Sequence, residues 1–240
     1  MNRDRIIDRY SIQARLVPVL IVTLPVGLFV VACFPDDLAG WSLVWGIISW
    51  CGGTILLAQL GRDMGARKEN SLFELWGGKP TTRILRHSNS ANPITLARRH
   101  KAITTLLDSV TLPTPEEEKH NPDRADQIYD AAVTILRERT RDRNKFELIF
   151  QENSSYGFRR NLWGMKPIGL AASVGAFFGI CVCVVLGRAV IGEEGIVFSA
   201  LLGGLVLVLA LVCALVITPD WVRISANAYA ERLLEACERL

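Results

Sequence analysis

Two basic segments in the middle of the chain carry the side chains best suited to bind a ligand. The first, 79–87, directly follows Gly77 and Gly78, and the second, 98–101, lies in the next predicted helix. Lys and Arg bind phosphate groups through charge-assisted hydrogen bonds. If the two segments meet in the fold, they form a site for an anion or a lipid headgroup; the alternative is a solvated surface that faces anionic lipids without a specific ligand. The residues predicted for the site are Lys79, Arg83, Arg86, Arg98 and Arg99.

Catalytic and metal-binding patterns are not found elsewhere in the sequence. Gly78 and Lys79 resemble the end of a nucleotide-binding P-loop, whose pattern is G-x-x-x-x-G-K-(S/T). The first glycine of that pattern would fall at position 73 and the Ser or Thr at position 80, but the sequence has Phe73 and Pro80 there. His87, His100 and His120 lack the spacing of metal ligands. We therefore expect no enzyme activity, no cofactor and no metal.

The basic segments lie between apolar blocks, and the chain has four such blocks without any charge. Each is roughly twenty residues long, the length of a helix that crosses the ~30 Å core of a bilayer. A helix buried in a soluble core is usually shorter and keeps a polar face. The sequence therefore predicts an all-α integral membrane protein with four transmembrane helices arranged as two hairpins. The predicted spans are 16–34, 38–60, 167–187 and 195–217.

The distribution of charge predicts how the spans are oriented. Lys and Arg are concentrated before the first span, in the long middle segment and after the last span, whereas the connections 35–37 and 188–194 are short and acidic. Loops rich in Lys and Arg stay on the cytoplasmic side. We therefore predict a multi-pass plasma-membrane protein, of the bacterial inner membrane, with both termini cytoplasmic. Arg159, Arg160 and Lys166 mark the cytoplasmic end of the third span.

The first span also resembles a cleavable signal that ends at a lipidated cysteine, Cys33. Its apolar run is longer than the ~7–15 residues usual in such a signal. We favour an uncleaved span and leave lipidation of Cys33 open.

The spans divide the chain into four predicted parts. Residues 1–60 form a cytoplasmic lead and the first hairpin, 61–166 a cytoplasmic helical domain, 167–217 the second hairpin, and 218–240 a cytoplasmic amphipathic helix. In the helical domain, the second span is expected to continue toward Trp76 and to stop at Gly77 and Gly78.

The helical domain shows three further local signals. Asn92 and Pro93 are expected to begin a helix that ends near Pro113. Residues 115–121 are predicted as an acidic connection, and residues 123–141 as a helix. The side chains expected to face the core from this last helix are Ile128, Ala132, Ile135 and Leu136.

Small residues recur at intervals of four in the third span, and one pair of them is a GxxxG motif, which lets helix backbones approach closely in lipid. Their face either packs on the fourth span, through Ser199 and Gly203, or contacts a second copy of the chain. The predicted packing or oligomerisation residues of this stripe are Ala171, Gly175, Gly179, Cys183 and Gly187.

A heptad-like apolar stripe runs through the C-terminal segment and includes Tyr229 and Leu233. It suits packing on the protein's own helices, self-association, or a position flat on the bilayer. We include Tyr229 and Leu233 among the predicted packing and oligomerisation residues.

The four apolar blocks contain no Asp, Glu, Lys, Arg or His. This disfavours a transporter, a pump or a haem protein, but not a pore that several copies build together. The leading hypothesis is a homo-oligomeric membrane protein whose cytoplasmic domain senses a ligand, lipid or partner. Its output would be a pore or another disturbance of the membrane, as in a stress or antiviral defence effector.

The second hypothesis is a non-conducting anchor or scaffold subunit that recruits a soluble cytoplasmic protein. The expected partners are the lipid bilayer, further copies of the chain and, for this second hypothesis, the soluble protein. Direct binding of nucleic acid is not expected, because the excess of cations over anions in 61–166 is modest.

Overall fold

The computed structural model describes residues 12–34, 40–90, 92–107, 111–187, 193–238 and 240, except for the side chains of 40–45, 47–51 and 193–194. Helices account for 86% of it, and the described residues include no strand, so the predicted all-α class is confirmed. The α-helices are α1 (Val17–Cys33), α2 (Gly40–Arg67), α3 (Glu69–Leu75), α4 (Pro80–Leu85), α5 (Pro93–Leu106), α6 (Pro115–His120), α7 (Pro122–Arg139), α8 (Glu147–Val185), α9 (Glu193–Leu215) and α10 (Pro219–Glu235).

The chain forms two compact units. The first contains the described residues up to Lys68 together with Gly157–Val222, and we call it the apolar unit. The second contains Glu69–Tyr156 and the described residues from Arg223 onward, and we call it the polar unit.

Among the described residues, three helices are long and apolar enough to cross a membrane. They are Ile12–Cys33, which joins a π-helical turn (Ile12–Leu16) to α1, then α8, and Gly195–Leu215 in α9. They match the first, third and fourth predicted spans. The second predicted span, 38–60, falls largely within α2, but much of it lies outside the residues whose side chains are described, so a fourth span stays a prediction.

Two buried apolar clusters hold the apolar unit together at different levels of α8. The first surrounds Leu162 and Met165, and the second surrounds Ala176 and Ile180. At a rise of 1.5 Å per residue the two levels are roughly 22 Å apart. The partners from the other helices are Val19, Val22, Ala58 and Ile217 in the first cluster, and Ala32, Cys33 and Val206 in the second.

Large apolar side chains cover the outside of these helices. Phe178 in α8 is 62% exposed and Leu201 in α9 is 67% exposed. In water, a continuous apolar surface of this kind favours aggregation. It is the surface expected of a helix that contacts lipid.

The polar unit is built around an apolar core to which most of its helices contribute. Tyr129, Val133 and Leu136 of α7 are buried at its centre, together with Ile103 of α5 and Leu233 of α10. Ala132 and Leu136 face inward as predicted, whereas Ile128 and Ile135 are only half-buried and pack at the edge of the core. The buried face of α7 is therefore centred on Tyr129, Val133 and Leu136, not on the predicted Ile128 and Ile135.

Local signals place the helix ends of the polar unit. Asn92 caps α5 by accepting hydrogen bonds from the amides of Ile94 and Thr95. After α3, Gly77 and Gly78 adopt φ values of 75° and 126°, a left-handed backbone that favours glycine. The chain therefore turns where the sequence predicted a stop.

Two predicted boundaries were wrong. Helix α5 ends at Leu106 rather than near Pro113. The predicted acidic connection at 115–121 contains a short helix, α6. Thr114 and Glu117 form a capping box at its start, and Pro115 occupies the first turn, where proline is well tolerated.

Candidate functional site

The first predicted basic segment is bound to carboxylates of α7. Two nitrogens of Arg86 donate hydrogen bonds to the Asp126 carboxylate, and a third donates to the Gly77 carbonyl oxygen at 2.8 Å. Lys79 Nζ lies 2.8 Å from Asp130 Oδ2. An open groove of about 550 Å³ lies beside them, and Glu74, Asp126 and Asp130 are part of its lining. The two cations therefore fix the glycine turn to α7 in an environment that already contains carboxylates.

The second basic segment pairs with the C-terminal part of the chain. Arg98 Nε lies 2.9 Å from Glu238 Oε1, and an Arg99 terminal nitrogen lies 2.6 Å from Glu231 Oε2. These pairs tie α5 to α10 and to the turn that follows it. The predicted residues thus fall into two ion-paired groups.

Arg83, the fifth predicted residue, has other basic side chains nearby. Partial burial, together with the charges of Arg223 and Arg86, lowers the pKa of Arg83. Arg223 was not among the predicted residues, because it lies far away in the sequence. Anion binding at the predicted residues stays a prediction.

A buried polar network lies between the two basic segments. Glu118 of α6 is 6% exposed and accepts hydrogen bonds from the backbone amides of His87 (2.8 Å) and Ser88 (3.0 Å) and from the Tyr129 hydroxyl (2.8 Å). Burial disfavours the ionised form, but these hydrogen bonds outweigh it and lower the pKa of Glu118. The carboxylate therefore holds α6, α7 and the turn after α4 together as an anion.

Two histidine rings complete this network. Those of His87 and His100 meet edge to face, with centroids 4.8 Å apart. His87 Nε2 lies 3.1 Å from the Pro113 carbonyl oxygen, and His100 Nε2 lies 2.8 Å from that of Leu85. Burial lowers the pKa of His100, and the neighbouring His87 lowers it further. The arrangement suits a structural network that weakens when His100 is protonated.

The small-residue stripe of α8 is only partly packed inside the apolar unit. Gly179 lies against the Phe29 ring, since a Cβ atom there would come within 2.6 Å of it, and Cys183 is buried in the second cluster. Ala171, Gly175 and Gly187 are exposed. The stripe therefore contacts α1 at one end of its face and is open elsewhere.

The alternative partners named from the sequence, Ser199 and Gly203 on α9, are both buried. Gly203 faces Phe177 and Ile180 of α8. Neither of these residues belongs to the stripe. Within the described residues, the Ser199 hydroxyl has no hydrogen-bond partner. Helices α8 and α9 therefore pack through Gly203, and the open part of the stripe is not used in this contact.

The C-terminal stripe packs inside the polar unit. Leu233 is fully buried in its core, and Tyr229 is half-buried and stacks on Tyr156 with an interplanar angle of 4°. In this conformation Leu233 has no surface left for a second copy. Self-association through the stripe stays a prediction.

Basic side chains lie close in the sequence to the helical residues of the first cluster of the apolar unit. We call them the basic collar: Arg15, Arg62, Arg67, Lys68, Arg159, Arg160 and Lys166. Lys166 donates to the carbonyl oxygens of Ala214 (2.8 Å) and Ile217 (2.9 Å), which lie at the C-terminal end of α9. Such carbonyls have no partner within their own helix, and a cation satisfies both their hydrogen bonds and the helix dipole.

Two tryptophans lie among the cations of the collar. Arg159 donates to the Trp221 carbonyl oxygen at 2.9 Å and lies 4.8 Å from the centre of its ring. Lys68 Nζ lies 5.1 Å from the Trp163 ring. Tryptophan is enriched at the interface between a bilayer and water. The sequence prediction named Arg159 and Lys166 but missed both indoles.

Helices α2 and α8 cross at glycines that the sequence prediction also missed. A Cβ atom on Gly164 would lie 2.6 Å from the Gly65 nitrogen, and one on Gly61 would lie 2.3 Å from Met165 Sδ. Gly61 and Gly65 are themselves a GxxxG pair, just beyond the second predicted span. Their four-residue spacing could have revealed the crossing.

An amide at this crossing reaches the N-terminal helix. Asn161 is 2% exposed and donates from Nδ2 to the Ala14 carbonyl oxygen at 2.7 Å. Ala14 lies in the π-helical turn, where the regular hydrogen-bond pattern of an α-helix is broken. The Asn161 side chain therefore binds α8 to the beginning of the first candidate span.

Comparison with known proteins finds no matching family model, no matching curated protein and no matching solved structure.

Proposed function

We propose that the chain is a multi-pass protein of the plasma membrane, in bacteria the inner membrane, with both termini cytoplasmic. The observation that carries the proposal is the exposed apolar surface of α1, α8 and α9, which ends at the basic collar. A bilayer accommodates both features, because its core solvates apolar side chains and its headgroups attract cations.

In this proposal the protein works as a homo-oligomer and changes the permeability of the membrane, as a stress or antiviral defence effector would. The polar unit senses a ligand, lipid or partner protein. The open face of α8 supports the oligomer: among the described residues, no atom lies within 4 Å of a Cβ placed on Gly175. Small residues on an open face allow close packing between helices in lipid.

The direct test is leakage of a dye from liposomes that contain the purified full-length chain, together with its mass in detergent. We expect leakage and a mass of several copies. Gly175→Leu should reduce both, whereas Gly204→Leu serves as the matched control, because Gly204 is an equally open glycine on α9. A monomeric mass without leakage under any condition would remove the pore-forming role.

A second candidate, a non-conducting anchor for a soluble protein, is favoured by exposed apolar side chains of the polar unit. Leu75, Ile94 and Ile224 are 66%, 82% and 62% exposed. An anchor should copurify from native membranes with a different polypeptide in fixed ratio. Replacing Ile94 with Asp should release that polypeptide without changing the amount of membrane-bound chain.

A further inference from the structure

We propose that the basic collar is a binding site for the headgroups of anionic phospholipids, centred on Arg159, Trp163 and Lys166. The inference depends on the proposed membrane location and adds the class of lipid that the protein selects. The sequence predicted a lipid site in the basic segments of the polar unit, whereas this proposal places it in the apolar unit.

The three central residues lie on one face of α8. Positions 159, 163 and 166 are spaced i, i+4 and i+7, so their side chains follow one another along about 10 Å of helix. Lys68 of α2 approaches the middle residue, Trp163, from a neighbouring helix, and its Nζ also lies 3.4 Å from the Gly164 carbonyl oxygen. The face therefore alternates cation, indole and cation, with a further cation beside the indole.

Arg159 and Lys166 are held in place and, within the part of the chain that the structure describes, keep donors for a ligand. Lys166 has three N–H donors, of which two bind the carbonyl oxygens of Ala214 and Ile217. Arg159 has five, of which one binds the Trp221 carbonyl oxygen. Both side chains are half-buried, so little conformational freedom remains to be lost when a phosphate binds.

The balance of charge favours an anionic headgroup over a zwitterionic one. Besides the collar cations, the same turns of the described helices carry the carboxylates of Asp63 and Asp220, and Glu69 directly follows Lys68 in the sequence. In the polar unit, by contrast, Lys79, Arg86 and Arg99 already bind carboxylates. An incoming phosphate meets a net positive surface at the collar.

The surroundings of the face favour a lipid over a free phosphate. Directly after Lys166, α8 continues with exposed apolar side chains, beginning with Ile168 and Val174. A phospholipid places its phosphate next to acyl chains, which matches a cationic face followed by an apolar one. Trp163 and Trp221 then lie at the level of the headgroups, where indole rings are favoured.

The test is native mass spectrometry of the full-length chain in detergent, titrated with phosphatidylglycerol, with phosphatidylcholine of the same acyl chains, and with glycerol phosphate. We expect tighter retention of phosphatidylglycerol and no competition by glycerol phosphate. Lys166→Met should weaken phosphatidylglycerol binding about fivefold, Lys166→Arg should restore it, and Lys101→Met, an exposed cation of the polar unit, should not change it.

Equal retention of the two lipids by the unaltered chain would overturn the proposal, and this comparison needs no variant to fold. Unchanged selectivity in a Lys166→Met variant that melts at the same temperature as the unaltered chain would also overturn it, as would full displacement by glycerol phosphate. The outcome is separate from that of the proposed function: a chain that binds phosphatidylglycerol selectively but causes no leakage keeps the site and loses the pore.

Discussion

The two units of this protein use their cations differently. In the polar unit, Lys79, Arg86 and Arg99 bind carboxylates on neighbouring helices. In the apolar unit, Arg159 and Lys166 bind backbone carbonyls at helix ends. Basic residues therefore join helices through carboxylates in one unit and through backbone carbonyls in the other.

The two units also differ in how their helices meet. The apolar unit brings backbones together at glycines, as at Gly65 and Gly164, whereas the polar unit joins its helices through a buried carboxylate, Glu118. Close backbone packing is the main source of helix association in lipid. In the core of a unit that folds in water, a buried carboxylate whose hydrogen bonds are satisfied fixes the positions of the helices around it.

The largest expected effect comes from filling the glycine crossing. Gly164→Leu would place its side chain against the backbone of Gly65, which cannot move aside as a side chain can. We expect the free energy of unfolding to fall by more than roughly 3 kcal/mol, and little folded protein to be recovered in detergent. Gly204→Leu, at an open position of α9, should leave the melting temperature unchanged. Equal melting temperatures for the two variants would show that α2 and α8 do not cross here.

The next effect comes from removing the buried carboxylate of the polar unit. Glu118→Leu leaves the amides of His87 and Ser88 and the Tyr129 hydroxyl without their acceptor, which should cost about 3 kcal/mol. Glu116→Leu, two positions earlier on the exposed side of α6, is the control. Thermal unfolding of the two variants measures the difference, and a similar loss in both would mean that the Glu118 network is not what holds α6.

Acid should weaken the polar unit through His100. Burial keeps its folded pKa below the ordinary 6.5. Below about pH 6.5 the unfolded chain therefore binds more protons than the folded one, and stability falls as the pH drops. Glu118, whose folded pKa lies below the ordinary 4.5, loses its stabilising contribution at still lower pH. His100→Gln keeps a donor for the Leu85 carbonyl and should flatten the stability profile just below about pH 6.5. An unchanged profile would mean that another group titrates.

The smallest effect is expected from an exposed ion pair. The side chains of Lys79 and Asp130 are 43% and 37% exposed, so solvent screens their attraction. Lys79→Gln should reduce stability by about 0.5 kcal/mol at low salt and by less at high salt. Chemical denaturation at two salt concentrations measures this, and a loss of several kcal/mol independent of salt would contradict the assignment.

Much of the fold could be predicted from sequence because its signals are local. Apolar length identified three candidate spans, Asn92 gave the start of α5, and Gly77 and Gly78 gave the turn after α3. Helix α6 was missed because an acidic, proline-containing stretch resembles a connection until Thr114 and Glu117 are seen to form a capping box.

The candidate sites were harder to predict because they depend on contacts between distant residues. The carboxylates that bind Arg86 and Arg99 come from α7 and α10, and no local pattern pairs them. The two indoles of the collar are likewise brought to their cations only by the packing of α8 with α2 and α10. Charge alone therefore identified cations but not their partners.

The most direct test of the account is extraction of membranes from cells that express the full-length chain. The exposed apolar faces of α1, α8 and α9 predict that the chain stays in the membrane pellet after washing with alkaline carbonate and dissolves only in detergent. A chain that appears in the carbonate supernatant, and that is monodisperse without detergent, would contradict it.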